Sequence, residues 1–161
     1  MPERAPPRWL VDEMLGRLAR YLRFMGHDTA WVRGAEDTEI RARAEREGRT
    51  LLTRDRSLAA RTPGAVLLGS VQLHDQLLEL IRRFPSLPTE VMFDRCSLCN
   101  GLVDPVSSPG EGRPAPARPD AGGPTRSVFR CRDCGHEYWE GSHTEGIRRR
   151  LKAIVTEAAT P

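Results

Sequence analysis

Short apolar runs and amphipathic stretches alternate along the first 85 residues. Trp9-Leu10-Val11 is a brief apolar run and reads as a buried strand. From Glu13 to Met25, Met14, Leu15, Leu18, Leu22 and Met25 recur at helical spacing with Arg17, Arg20 and Arg23 between them, and Gly26 marks the helix end. Thr29 to Val32 predicts a second strand, Asp37 to Glu47 a second helix closed by Gly48, and Thr50 to Thr53 a third strand. After Arg54-Asp55, a short helix near Ser57 to Arg61 leads to a fourth strand over Ala65 to Leu68. Val71 to Phe84 predicts a further helix, with Leu73, Leu77, Leu80 and Ile81 on one face. This repeated strand–helix alternation predicts an α/β domain: a parallel sheet flanked by helices on both faces. In such sheets the functional crevice lies beyond the carboxyl ends of the strands.

The pattern changes at about Glu90. Beyond it lie Cys96, Cys99, Cys131 and Cys134, the only cysteines of the chain, in two C-x-x-C pairs each followed closely by a glycine, Gly101 or Gly135. Two such pairs read as a zinc site, and four thiolates fill a tetrahedron with no open position, so the zinc is expected to be structural. A redox dithiol is the rival, but it needs only one exposed pair. The expected organisation is therefore a first domain over 1–89, a small zinc-ribbon module over 90–147, and a basic C-terminal tail over 148–161. Between Asp104 and Ser127 lie six of the thirteen prolines and four of the fourteen glycines, which reads as a flexible insertion separating the cysteine pairs.

Composition sets bounds on function. At 161 residues, 39% hydrophobic and 29% charged, the chain suits one globular domain plus a small module and is unlike a disordered protein. No apolar run approaches the ~20 residues of a membrane span. Met1 to Arg8 has no apolar core of a signal peptide, so a cytoplasmic location is expected. The net charge of +3, from 25 basic and 22 acidic residues, is too mild to establish nucleic-acid binding. Lys152 is the only lysine; the other basic residues are arginines, whose planar forks suit phosphate. Arg17, Arg20 and Arg23 are candidate phosphate contacts along the first helix, and His143 is a candidate substrate contact, each also readable as a solvated surface residue.

Asp12 follows the first strand and Asp55 closely follows the third, so a parallel sheet projects both from one edge. Asp37 opens the second helix and Asp75 lies near the start of the helix after the fourth strand. Converging carboxylates stay ionised when a cation neutralises them, and a hard ion such as Mg²⁺ or Mn²⁺ suits oxygen ligands and bridges to phosphate. Asp37 equally suits a helix N-cap and Asp75 a favourable charge on a helix dipole. Asp12 and Asp55, as strand-end residues, carry no evident capping duty at this level.

Leu10-Val11-Asp12-Glu13-Met14-Leu15-Gly16-Arg17-Leu18-Ala19-Arg20-Tyr21-Leu22-Arg23, Gly48-Arg49-Thr50-Leu51-Leu52-Thr53-Arg54-Asp55, and the cysteine pairs with Tyr138-Trp139-Glu140-Gly141-Ser142-His143 together resemble the Mut7-C family, a PIN-like RNase domain with an attached zinc ribbon. The resemblance runs from about Arg8 to about Arg148. It implies a ribonuclease whose acidic residues hold Mg²⁺ or Mn²⁺: Asp12 after the first strand, Asp37 opening the second helix and Asp55 of the T-R-D motif, with Asp75 the fourth by position alone. The expected reaction is hydrolysis of single-stranded RNA. The rivals are a non-catalytic RNA- or ribosome-binding adaptor of the same fold, and a toxin-type nuclease controlled by a protein partner. The long Pro/Gly-rich stretch departs from the family's linker between cysteine pairs.

Overall fold

The structure is a computed structural model that describes residues 5–106 and 127–161. Most of the expected Pro/Gly insertion, 107–126, lies outside the described residues. Four parallel strands, β1 (Trp9–Val11), β2 (Thr29–Trp31), β3 (Thr50–Thr53) and β4 (Val66–Leu67), form a sheet in the order β2-β1-β3-β4. Period-two alternation sorts the side chains of the central strands. Trp9, Val11 and Leu52 face one layer, while Leu10 and Leu51 face the other, so each strand must be buried on both sides.

Helices α1 (Gly16–Phe24) and α4 (Leu73–Arg83) cover the first face with Leu18, Leu22, Leu77 and Leu80; α2 (Asp37–Glu47) and α3 (Arg56–Arg61) cover the second with Ile40, Ala44 and Leu58. The fold class expected from the chain pattern is thus the one observed: a mixed α/β domain with a parallel sheet flanked by helices, followed by a small cysteine module. That module is an antiparallel sheet of β5 (Val103–Pro105), β6 (Val128–Cys131) and β7 (Glu137–Trp139). The first positions of the expected insertion therefore belong to a strand: Asp104 lies in β5 and takes a two-pronged ion pair from Arg132, at 2.6 Å for each prong.

The chain end departs from a separate basic tail. Ser142–Ala159 is one helix, α5, and its Ile147, Leu151 and Ile154 enter the core under α1 and α4. Arg150 donates to the Tyr21 hydroxyl at 2.7 Å, and Glu157 pairs with His74 at 2.8 Å. The run of basic residues conceals this because its apolar members recur at 147, 151 and 154, a single narrow stripe. No helix among the described residues is long and apolar enough to cross a membrane.

The two modules are joined by a polar lock at the amino ends of the strands. Asp28, in the turn between α1 and β2, accepts from Arg8 Nε (3.0 Å), Arg49 (2.8 Å) and the Asn100 amide (2.8 Å). The Asn100 oxygen accepts in turn from the Thr29 backbone N–H at 2.9 Å, so one side chain of the cysteine turn reads both the end of β2 and its flanking carboxylate. Arg49, with a side chain only 8% exposed, continues the chain of charges to Glu47 at 2.6 Å.

Desolvation works against ionisation of Asp28, but the hydrogen bonds from Arg49, Asn100 and Arg8 overcome it and hold the carboxyl well below its ordinary value. A depressed folded-state pKa contributes stability that is complete above the unfolded value of about 3.9 and is lost as pH falls toward the folded value. Asp28→Asn is therefore expected to lower stability by about 2 kcal/mol at neutral pH. Denaturant titrations should show the gap between wild type and variant narrowing only below about pH 4. A gap constant down to pH 2 would contradict the assignment.

Candidate active site and metal centre

The carboxyl edge of the sheet is built around the point where the strand order reverses. β1 connects outward to β2 on one side and its other neighbour is β3, so the ends of β1 and β3 form the switch point at which open α/β sheets characteristically bind ligands. The ladder continues one step past β1, through the Asp12 N–H to Leu52 O at 3.0 Å, which holds the buried Asp12 at that switch point. Its Oδ2 accepts from the Thr53 hydroxyl at 2.7 Å, and the same hydroxyl accepts from the Asp55 N–H at 2.9 Å. Thr53 is fully buried and ties the two strand-end aspartates to one atom.

Both aspartates have a capping duty that the sequence pattern does not reveal. Asp12 Oδ1 accepts from Glu13 N at 2.7 Å and starts a single 3-10 turn (Glu13–Leu15) that leads into α1. Asp55 Oδ1 caps α3 by accepting from Leu58 N at 3.0 Å. Asp37, by contrast, is not a cap: Glu36 holds that position in a capping box with Glu39, and Asp37 is the first helical residue, paired with Arg61 at 2.8 Å. Asp75 lies exposed in the first turn of α4, where Ser70 Oγ donates to it at 3.2 Å. Among the described residues the four aspartates do not gather into a preformed cluster; the cysteines are the one group of three or more potential ligands whose atoms stand within 4.8 Å of one another.

The strand-end carboxylates Asp12 and Asp55 each already accept a backbone N–H, from Glu13 and Leu58 respectively. Mg²⁺ keeps several waters and needs only one or two carboxylates when phosphate oxygens complete its shell. Asp12 and Asp55 are two carboxyl-bearing residues joined through Thr53, by the Asp12 side chain and by the Asp55 backbone N–H.

The arginines divide. Arg17 and Arg20 are exposed at the start and middle of α1. Arg23 is the exception to the phosphate-contact expectation. It is 4% exposed, and its guanidinium donates to Thr29 O (2.9 Å), Ser97 O (3.1 Å) and Leu98 O (3.2 Å). It is a strut between α1 and the cysteine turn, out of reach of substrate. Helical spacing puts Arg23 on the line of Arg20 but cannot show that a later segment folds over it. His143 is exposed in the first turn of α5, placed by the cysteine module rather than by the sheet edge. Sequence reasoning misses Thr53 as a bridge and Arg54 beside Asp55, whose Nε is buried without a partner among the described residues. The Thr53-Arg54-Asp55 run is the signal that could have found them.

The four cysteine sulfurs all lie within 4.8 Å of one another, with Cys96–Cys134 at 3.6 Å and Cys99–Cys131 at 3.4 Å. Ligands at about 2.3 Å in a tetrahedron stand about 3.8 Å apart, so the quartet fits a zinc ion. Gly101 is required by close approach: a Cβ there would stand 2.9 Å from Cys131 Sγ and run into the Asp133 carboxylate. Burial opposes the Cys96 thiolate, but the Tyr138 hydroxyl at 3.0 Å and neighbouring backbone N–H groups outweigh it and bring that thiol to about 7. Burial pushes the Cys99 thiol up to about 12, and its hydrogen bonds with the neighbouring cysteines add to the rise.

A family model described as Mut7-C RNAse domain matches residues 7–151. No curated protein and no solved structure matches the chain.

One zinc per chain is expected by elemental analysis of the purified protein, and Cys99→Ser should abolish its retention. Because Asn100 and the carbonyls of Ser97 and Leu98 sit in the same turn, stripping the metal should also loosen the Asp28 and Arg23 contacts and lower the melting temperature of the whole chain. A metal-free protein with unchanged melting would contradict this.

Proposed function

The chain belongs to the Mut7-C RNAse domain family, and from that premise we propose that it is a metal-dependent ribonuclease acting on single-stranded RNA at the edge where β1 and β3 end. The observation that carries the reading is the Asp12–Thr53–Asp55 linkage at the sheet's reversal point. A purely binding surface for a polyanion gains nothing from two carboxylates facing it, whereas an ion held between them turns that repulsion into attraction. This also weighs against the adaptor reading.

Asp12 and Asp55 would hold Mg²⁺ or Mn²⁺, which when bound supplies a lowered water pKa and neutralises charge on the phosphodiester. Thr53 orients Asp12 by donating to it, the role of a residue behind a metal ligand. Arg54 places a cation next to Asp55 in the chain, and Arg17 and Arg20 on α1 would grip flanking phosphates. Asp37, at the start of the helix that follows β2, is already paired with Arg61 through one oxygen, so its share is expected to be smaller. Asp75 is the least engaged of the four. Attack by water on phosphorus with departure of the 3′ oxygen leaves a 5′-phosphate and a 3′-hydroxyl. The zinc site, closed by four sulfurs, has no place in the reaction and is structural. A cytoplasmic setting fits a chain with four reduced cysteines.

End-labelled single-stranded RNA should be cut in the presence of Mn²⁺ or Mg²⁺ and left intact in EDTA. Asp55→Asn and Asp12→Asn should abolish cutting, and Thr53→Val should reduce it roughly 10–100-fold. Equal cutting by wild type and Asp55→Asn would overturn the proposal. Tight RNA binding without cutting by any of the proteins would move the reading to the adaptor.

A further inference from the structure

Beside the aspartate edge, a groove of about 360 Å³ opens between the start of α1 and the start of α4. Its apolar lining includes Met14, Trp31, Val71 and Leu73, and its polar lining is Gln76 with the exposed Arg17 and Arg20. Met14 is 58% exposed and Val71 69%, two large apolar side chains left in water, the first lying two residues after Asp12 and the second two residues before α4. The other exposed large hydrophobics among the described residues, Met92, Leu98, Leu102 and Trp139, lie beyond the first domain. Trp31 is held in place rather than loosely packed. Its indole N–H donates to Glu13 O at 3.3 Å, Arg33 lies over the ring at 5.0 Å, and a Cβ at Gly16 would come within 2.6 Å of it. Glycine at 16 is thus what allows the ring to reach the groove.

The charge along the groove matches a polyanion. Arg17 and Arg20 have no ion-pair or hydrogen-bond partner among the described residues, whereas Arg23 on the same helix is fully spent. Neither α1 nor α4, whose first turns flank the groove, has a side-chain cap. The Gln76 amide nitrogen is committed to Ser70 O (3.0 Å) and Val71 O (3.2 Å), so what that side chain has left to offer is an acceptor oxygen. A flat apolar ring that carries amino groups and hangs from a phosphate chain meets all these requirements together.

We infer that this groove is a base-binding subsite: it takes one unpaired nucleobase of the RNA strand while Arg17 and Arg20 hold the adjoining phosphates. The inference rests on the ribonuclease reading for the identity of the strand but not on turnover. Met14 follows Asp12 by two residues, so a base seated here sets which phosphate reaches the Asp12–Asp55 pair. The subsite therefore selects the position of the cut by counting from a captured base.

The test uses the zinc-loaded full chain without added Mg²⁺ or Mn²⁺, and single-stranded RNA hexamers that carry an abasic site at each position in turn. Binding is followed by fluorescence polarisation and by the indole N–H resonance of Trp31. The intact hexamer should move the Trp31 signal, and one abasic position should weaken binding roughly tenfold more than the others. Val71→Glu, at an exposed position that leaves melting unchanged, should erase that difference between positions. Arg20→Ala should weaken all hexamers alike, as a phosphate contact does. An unmoved Trp31 signal, no binding, or equal tolerance of the abasic site everywhere would overturn the subsite. If the hexamers bind as expected but the protein with metal never cuts them, the subsite stands and the ribonuclease reading fails. Cutting with a flat abasic profile would overturn the subsite and leave the ribonuclease reading standing.

Discussion

Strand β1 is three residues long, and Trp9, Leu10 and Val11 are all completely buried. The rest of the molecule is organised by the need to cover both faces of that strand and to terminate both of its ends. Its faces are covered by opposite helical layers, α1 and α4 on one side and α2 and α3 on the other. Its flanks are paired with β2 and β3, which leaves no edge exposed. Only its ends remain. At one end the backbone ladder spills over into Asp12; at the other the chain meets the Asp28 lock. With strands this short, about 10 Å separates the two.

That division gives the two modules different work. The carboxyl end carries the carboxylates, the free arginines and the groove. The amino end carries the attachment of the cysteine module, through Asp28 to Asn100 and through Arg23 to the carbonyls of Ser97 and Leu98. A zinc ion with four thiolates has a net charge of −2, and the buried Arg23 guanidinium is the cation beside it. Burial lowers the pKa of Arg23, and the nearby Cys96 and Cys99 oppose that shift. These contacts tie the cysteine turn to the amino end of the sheet, so a metal held by the four thiolates would be coupled to the packing of the sheet. α5 then crosses back and closes the layer over α4, so the last helix completes the first domain's core.

Much of this is legible in the chain. The period of apolar residues places all four parallel strands, and with the crossover rule it brings Asp12 and Asp55 to one edge without any structure. The cysteine spacing identifies the second module. What is not legible depends on contacts between distant segments. Asp12 and Asp55 double as caps because each lies just past its strand in extended conformation and is followed at once by a helical turn, a boundary that the apolar pattern does not place to the residue. Arg23 looks like Arg20 until residues 97 and 98 fold over it. Asp37 and the Arg61 that claims it are 24 positions apart, on two helices whose packing the sequence pattern does not set. Leu151 lies inside a run of basic residues that hides the stripe it belongs to. In each case the local pattern is real and a long-range partner changes its meaning.

In the proposed reaction Asp12 and Asp55 share an ion at the end of β1 and β3. The most direct measurement is paramagnetic broadening of backbone amide resonances as Mn²⁺ is titrated into the zinc-loaded protein. Selective broadening is expected at Asp12, Glu13, Arg54 and Asp55, lost in Asp12→Asn, with the turns around Cys96 and Cys131 unaffected. Broadening centred elsewhere, or none at Asp12 and Asp55, would contradict it.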